Sequence, residues 1–423
     1  MSEKWIVLLG GNELNAGFCN IAATWGAKLA VVDWNETPAI PCDRHIRLDI
    51  KAADEVARVV SDLPGEILLA YTSADVAAET AARVNAAAGL RRASPDAIAR
   101  SGNKIEMNAA WAKAGLIGKK YHACDTAAAL AAFALELSAK LIVKPATSSS
   151  SRGITVIERG EIAATDWNTV FERARGGRDA HPVVAEEYIE GTEFTVEMIG
   201  DDLGNVEAWG VSKKYHTAYT YKNRIAVKLH YNPPDVPGDK LERIAAFAAD
   251  CYRAVGLKSC LGHFEVLEAD DGRLVPVEIA ARSSGFIATH LVSVLSSEPG
   301  AYLARYREAL LGGALPERLV PSERSSMYFF YDPPPGIWTE NDANLVGDLP
   351  ESIRSLSHER RRLRKGAKLG HIDTDNERYG FEILVGPPSD LRIETVQAAE
   401  ARLYARAMRG EAASLTLDDG VRS

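Results

Sequence analysis

The chain has 423 residues, enough for two to four domains with ample core. Its 46% hydrophobic and 25% charged residues are those of an ordinary soluble globular protein. A net charge of −9 excludes a nucleic-acid-coating surface and leaves room only for a local basic cleft, and no run is long enough to span a bilayer.

Lys4 to Gly11 reads as a buried strand, Asn15 to Trp25 as a helix and Leu29 to Asp33 as a second strand, the βαβ opening of a parallel sheet. GGNELNAG lacks the G-x-G-x-x-G spacing, which argues against a nicotinamide site. Asp33 has two readings, a ribose ligand or a strand-end cap. Strands at Ile46 to Leu48 and Ile67 to Tyr71, with helices at Asp54 to Leu63 and Asp75 to Ala88, complete an α/β unit over 1–95. Ser94-Pro95 caps the next helix, Ile105 to Ala114 resumes it and Thr126 to Ser138 follows, so 96–135 reads as a helical linker.

Leu141 to Val143 is a strand that Pro145 stops from pairing further. Lys144 ends it, then come Ser148, Ser149, Ser150, Ser151, Arg152 and Gly153, and Ile154 to Ile157 is the returning strand. Such a donor-rich cationic loop suits a polyphosphate; the other reading is a serine-rich hairpin with a lysine at its edge. Pro182 to Tyr188 reads as an edge strand running into a linker and the strand Phe194 to Ile199. Its backbone suits an adenine ring, and a nearby carboxylate suits ribose hydroxyls. Val206 to Val211 is another strand. Lys213, Lys214, His216, Tyr219 and His230 form either a substrate loop or a solvated basic face. Lys240 to Val255 is a helix.

His263 to Glu268 and Leu274 to Ile279 form a hairpin around Asp270-Asp271-Gly272. Glu265 and Glu278 lie 13 residues apart across that turn, so a hairpin can bring them together on one face. Two such carboxylates repel without a cation, and magnesium suits them; alternatively they are a solvated strand face. Arg282 follows within a small-residue loop and either meets an anion or pairs with Glu278. Ile287 to Leu295 and Ala301 to Leu311 read as helices. From Ser322 short strands alternate with Pro-rich and Gly-rich turns, which reads as a β-rich unit with a frayed end. Five scattered cysteines without a C-x-x-C pair, and an N-terminus unlike a signal peptide, fit a reduced, cytoplasmic protein.

Taken in order, SGNK ending at Lys104, IVKP around Lys144, the loop with Arg152-Gly153, EEYIEGTE, HFEV and VEIAARSSG resemble the ATP-grasp superfamily, over about residues 1–315. Within it the chain is most similar to carboxylate–amine ligases that join amino acids into dipeptides. The resemblance implies an α/β (α+β) ATP-grasp fold. The N-terminal parallel-sheet domain would span 1–95, the lid subdomain 136–210, the catalytic subdomain 211–320 and a β-rich C-terminal subdomain 321–423.

It also implies roles. Lys104 and Lys144 would hold ATP phosphates, under a flap from Ser148 to Gly153. Glu186, Tyr188 and Glu193 would surround adenine and ribose. Glu265 and Glu278 would bind Mg2+, with Mn2+ as a substitute. Arg282, acting with Lys144, would hold the reacting carboxylate and its acyl phosphate. Ala280 stands where many members carry an asparagine ligand, which leaves one or two metal ions open. The implied partners are small-molecule amino acids rather than nucleic acid or membrane, and a homodimer is one open assembly. The competing readings are a bicarbonate-using carboxylase or purine-pathway enzyme, and a nucleotide-binding module without turnover.

Overall fold

The computed structural model describes residues 2–11, 15, 17–90, 92–147, 153–176, 182–217, 225–282, 284, 307–316, 324–341, 343–360, 362–372 and 377–409. It divides into two units, Met1–Lys213 with Val236–Ser322, and Lys214–Asp235 with Glu323–Ser423.

The first unit opens on a parallel sheet in the order β3-β2-β1-β4, built from β1 (Lys4–Leu9), β2 (Lys28–Asp33), β3 (Arg44–Arg47) and β4 (Glu66–Thr72). Helices α1 (Gly17–Thr24), α2 (Ala53–Val60) and α3 (Ala78–Ala87) alternate with or follow its strands. The near-continuous apolar runs of β1 and β2 are what a sheet covered on both faces requires. Asp33 is the strand-end cap: it accepts from the N–H groups of Gly11 (2.6 Å) and Asn35 (2.8 Å) and is 5% exposed.

Helix α4 (Pro95–Ser101) starts at Ser94, whose hydroxyl accepts from the Ala97 N–H, and α5 (Lys104–Lys113) starts at Asn103, which caps Ile105 and Glu106. The stretch expected to be a purely helical linker also contains a strand, β5 (Tyr121–Cys124). It joins β6 (Leu141–Pro145), β7 (Thr155–Ile157) and β8 (Val183–Glu187) in an antiparallel sheet of order β5-β8-β6-β7, covered by α6 (Ala127–Leu137) and α7 (Trp167–Arg175). Two expectations are corrected. Strand β8 is central rather than an edge, because the four-residue β5 is too short to stand out by pattern. Pro145 remains in the ladder, opposite Val183, since a terminal proline loses only a donor.

A third sheet of this unit has the order β13-β12-β9-β10. It contains β9 (Gly191–Gly200), β10 (Val206–His216, up to Lys213 in this unit), β12 (Leu261–Ala269) and β13 (Leu274–Ala280), and all its pairs are antiparallel. One face carries Phe194, Val196, Met198, Phe264, Val266 and Ile279 into a core shared with α5 and with α8 (Gly238–Ala254). The other face carries the polar residues described below. A helical turn, α9 (Arg307–Leu310), is described beyond this sheet; the helices expected from Ile287 and Ala301 otherwise lie outside the described residues.

The second unit has an antiparallel sheet of order β11-β14-β18-β16, from β11 (Ala226–Tyr231), β14 (Ser325–Phe330), β16 (Arg354–Glu359) and β18 (Phe381–Gly386). A small sheet of β15 (Gly336–Trp338), β17 (Lys368–Leu369) and β19 (Met408–Arg409) accompanies it. The unit is not purely β-rich. Helix α10 (Ile393–Ala407) buries Val396, Ala399, Leu403 and Ala407, an apolar stripe at helical spacing, against Met327, Phe329 and Leu384. His230 is fully buried and within 2.7 Å of the Ser325 hydroxyl, so it belongs neither to a solvated face nor to an open loop. Tyr219 lies outside the described residues.

Among the described residues no helix is long and apolar enough to cross a membrane. All five cysteines are free thiols.

Candidate functional site

The hairpin β12–β13 decides the carboxylate pair through a bulge. Glu268 opposes Leu274, Leu267 opposes Val275 and Val266 opposes Pro276. An unbroken ladder would then set Val277 against Glu265 and turn Glu278 to the other face. The register shifts at this point, leaving Val277 unpaired, and Glu278 sits directly opposite Glu265. On the same face, Thr195 of β9 opposes Glu265, and Glu197 opposes His263.

Like charges in direct register repel, and the structure supplies a cation to one of them. Lys104 donates to Glu278 Oε2 at 2.9 Å, with its own side chain 10% exposed. Burial works against its charge, but Glu278, Glu186 and Glu265 outweigh that and raise its pKa. The Lys104 backbone N–H donates to the Ala146 carbonyl (2.8 Å), just past the Lys144 strand.

Helix α5 is the scaffold here. Lys104 and Asn108 are one turn apart, so they face the same way. The first reaches Glu278, and the second donates to Glu186 Oε1 at 2.7 Å. Met107 and Trp111 turn into the core, where Met107 sulfur accepts the Ile279 N–H and Trp111 packs edge-on to Phe264.

Glu186 is 2% exposed and binds two lysines, Lys144 at 2.9 Å and Lys119 at 3.0 Å. The register explains the first contact: Ile142 opposes Glu186 and Lys144 opposes Val184, so Lys144 and Glu186 are diagonal neighbours on one face. Burial opposes the Glu186 charge, yet Lys119 and Lys144 hold its carboxyl well below the usual range. Burial pushes Lys119 down to about 8 against the pull of Glu186, because Lys144 and Lys104 repel it. One carboxylate therefore serves two ammonium groups.

The Glu186 carboxylate is held by Lys144, Lys119 and Asn108. Tyr188 follows β8 and stacks under Lys140, whose ammonium is 4.2 Å from the ring centre. Glu193 lies near the start of β9, opposite Leu267. Ser148, Ser149, Ser150, Ser151 and Arg152 lie outside the described residues. Gly153 closes that loop at φ 74°, and a side chain there would meet the Pro145 ring at 2.9 Å, so the position requires glycine.

Arg282 meets Asp75, and Glu278 and Glu197 add to the field around it. Its Nε and Nη2 donate to the two oxygens of Asp75, at 2.5 and 2.7 Å. His263 shares a hydrogen bond with Glu197 (2.5 Å) and lies 3.6 Å from Glu265. Burial disfavours its charge, but Glu197 and Glu265 raise it to about 9. The second Glu197 oxygen accepts the Ser284 N–H (3.2 Å), which ties the loop after Arg282 to the sheet. Lys119, Asn108, Asp75, Glu197 and His263 were not singled out from the sequence. Each acts through partners on other elements, which no local pattern reveals.

The Glu265–Glu278 pair fits a magnesium ion that keeps water and phosphate ligands, which needs only one or two carboxylates. The Thr195 hydroxyl, buried and opposite Glu265, has no hydrogen-bond partner among the described residues and adds an orphaned oxygen on that face. Among the described residues no group of three or more His, Cys, Asp or Glu could hold a metal by itself.

Lys119 makes a pH prediction. In the unfolded chain a lysine titrates near 10.4, so between about 8 and that value only the unfolded state holds this proton. Stability should rise with pH through the window, by about 2 kcal/mol. Lys119→Met should flatten the rise in urea unfolding at pH 7.5 and 10, leaving Glu186 paired with Lys144. An unchanged pH slope would sink the assignment.

The family model of the ATP-grasp domain matches residues 137–290. Alanine–anticapsin ligase of Bacillus subtilis is 26% identical over 210 residues, 47% of this chain and 44% of that protein. D-alanine–D-alanine ligase of Cupriavidus metallidurans is 32% identical over 169 residues, 39% and 49% of the two chains. The chain thus spans less than half the length of these curated relatives. Among solved structures, an L-amino acid ligase from Bacillus licheniformis shares the fold, with TM-score 0.71 and 18% identity over 95% of this chain and 97% of that one. An ADP complex of N5-carboxyaminoimidazole ribonucleotide synthetase matches at TM-score 0.68 and 16% identity, over 96% and 97%.

Proposed function

We propose, on the premise that residues 137–290 are an ATP-grasp domain, that this protein is an ATP-dependent carboxylate–amine ligase acting on an amino acid. The observation that carries the reading is the cross-strand pair Glu265–Glu278, with Lys104 on one carboxylate and Arg282 in the loop beyond it. ATP-grasp ligases use ATP and magnesium, and Glu265 and Glu278 are the residues that would hold the ion. When bound, it neutralises charge on the phosphate oxygens.

A carboxylate is a poor electrophile because its oxygen is a poor leaving group. A carboxylate oxygen attacks the γ-phosphorus, the bond to the bridging oxygen breaks, and ADP leaves an acyl phosphate. The amine nitrogen then attacks the carbonyl carbon, phosphate departs and the nitrogen loses a proton. Lys144 and Lys104 stabilise charge moving onto the nucleotide phosphates. Arg282 holds the acceptor carboxylate through its planar fork. The flap role of Ser148 to Gly153, the placement of Glu186, Tyr188 and Glu193 around adenine and ribose, and the five-part domain division belong to the same proposal.

Hydroxylamine trapping tests it. Wild-type protein with ATP and magnesium should convert one class of amino acid into its hydroxamate and release ADP. Arg282→Lys keeps the charge but loses the fork, so it should lower hydroxamate yield at least about tenfold. Nucleotide binding with no carboxylic acid ever trapped would defeat the ligase reading. ADP release stimulated by bicarbonate alone would favour a carboxylase.

A further inference from the structure

The arginine expected to receive a substrate carboxylate already holds one. Arg282 binds both oxygens of Asp75, 207 residues away in sequence. Asp75 opens a short helical turn, Asp75–Ala77, just after β4, so it comes from the parallel sheet, whereas Arg282 follows β13. Their side chains are 36% and 13% exposed, so the pair meets solvent mainly on the Asp75 side. The bidentate geometry fastens the two segments at rest, and the same planar fork fits another carboxylate equally well.

Charge balance says what can replace it. A plain carboxylate that takes the Arg282 fork leaves the Asp75 anion without its cation. An α-amino acid brings an ammonium group beside its carboxylate and replaces both halves of the pair at once. Glu278 and Glu197, two further acidic groups acting on Arg282, are engaged by Lys104 and by His263. Asp75 is then the carboxylate released when the fork changes partners.

We propose that Asp75 reads the substrate ammonium: the α-carboxylate takes Arg282, the α-ammonium takes Asp75, and the resting Asp75–Arg282 pair is a placeholder for that zwitterion. Asp75 is a specificity residue, selecting α-amino acids over plain carboxylic acids. The inference rests on the ligase reading above and names the substrate class.

The test compares Asp75→Asn with wild type, using an accepted amino acid and its desamino analogue. Two quantities are read: kcat/KM for ADP formation, and calorimetric affinity in the presence of a non-hydrolysable ATP analogue. Wild type should prefer the amino acid by about 10–100-fold, the worth of a charged hydrogen bond. Asp75→Asn should bring the two substrates within a few-fold by both measures, with nucleotide affinity and melting temperature kept. Asp75→Ser, read the same way, replaces it if the asparagine variant does not fold. A folded variant that keeps the wild-type preference overturns the role of Asp75 and leaves the ligase reading standing. If wild type binds nucleotide but neither acid binds or stimulates ADP release, the ligase reading falls and takes this inference with it.

Discussion

Replacing Glu186 with alanine is expected to lower the unfolding free energy by about 3–5 kcal/mol, the cost of leaving buried charge without its partner. Lys144 and Lys119, at 2.9 and 3.0 Å, would face each other with no carboxylate between them. Their side chains are 7% and 4% exposed, so water cannot replace the lost carboxylate. The loss is smaller if one lysine sheds its proton, and Lys119, already pushed down to about 8, is the one that will. Destabilisation should therefore shrink from pH 7 to pH 9. A double variant, Glu186→Gln with Lys119→Met, should recover at least half of the loss, since it removes one negative and one positive charge together. Urea unfolding of wild type, Glu186→Ala and the double variant at both pH values measures this. A Glu186→Ala protein within about 1 kcal/mol of wild type at pH 7 would show that the buried triad is not what it is taken to be here.

The second large effect falls on turnover. Under the ligase reading, Glu278→Gln should reduce kcat by about 100–1000-fold, the loss seen when one preorganised electrostatic group is removed from a transition state. An amide is a poorer ligand for a hard cation, and the same change takes the carboxylate away from Lys104. The two consequences separate experimentally. Loss of a metal ligand raises the magnesium concentration needed for half-maximal ADP release, whereas release of Lys104 does not. The fold should survive, because Glu278 is 26% exposed and its backbone partners are unaffected. Wild-type turnover by the variant at limiting magnesium would remove Glu278 from the site.

Much of the fold was legible because the signals were local. Alternation of apolar residues, Ser94-Pro95, and the Asp270-Asp271-Gly272 turn each act over a few residues, and the structure has the corresponding elements. The misses were local too. Strand β5 has only four residues, and the 393–407 apolar stripe of α10 sits within a segment rich in turn residues.

Residue order alone supplies the cast of the candidate site: a lysine at a helix start, a lysine ending a strand, two glutamates on one hairpin and an arginine in the loop beyond. It also allows the glutamates to be close, because a tight turn joins their strands. Which way they point is set by the folded ladder, since side chains alternate with a period of two and one unpaired residue, Val277, reverses the face. The tertiary structure likewise decides what each charge meets. Glu186 gathers Lys119 and Asn108 across separate elements, and Arg282 meets Asp75 across 207 residues. Coulomb attraction and desolvation depend on distance and burial rather than on order along the chain, so no local pattern announces such pairs.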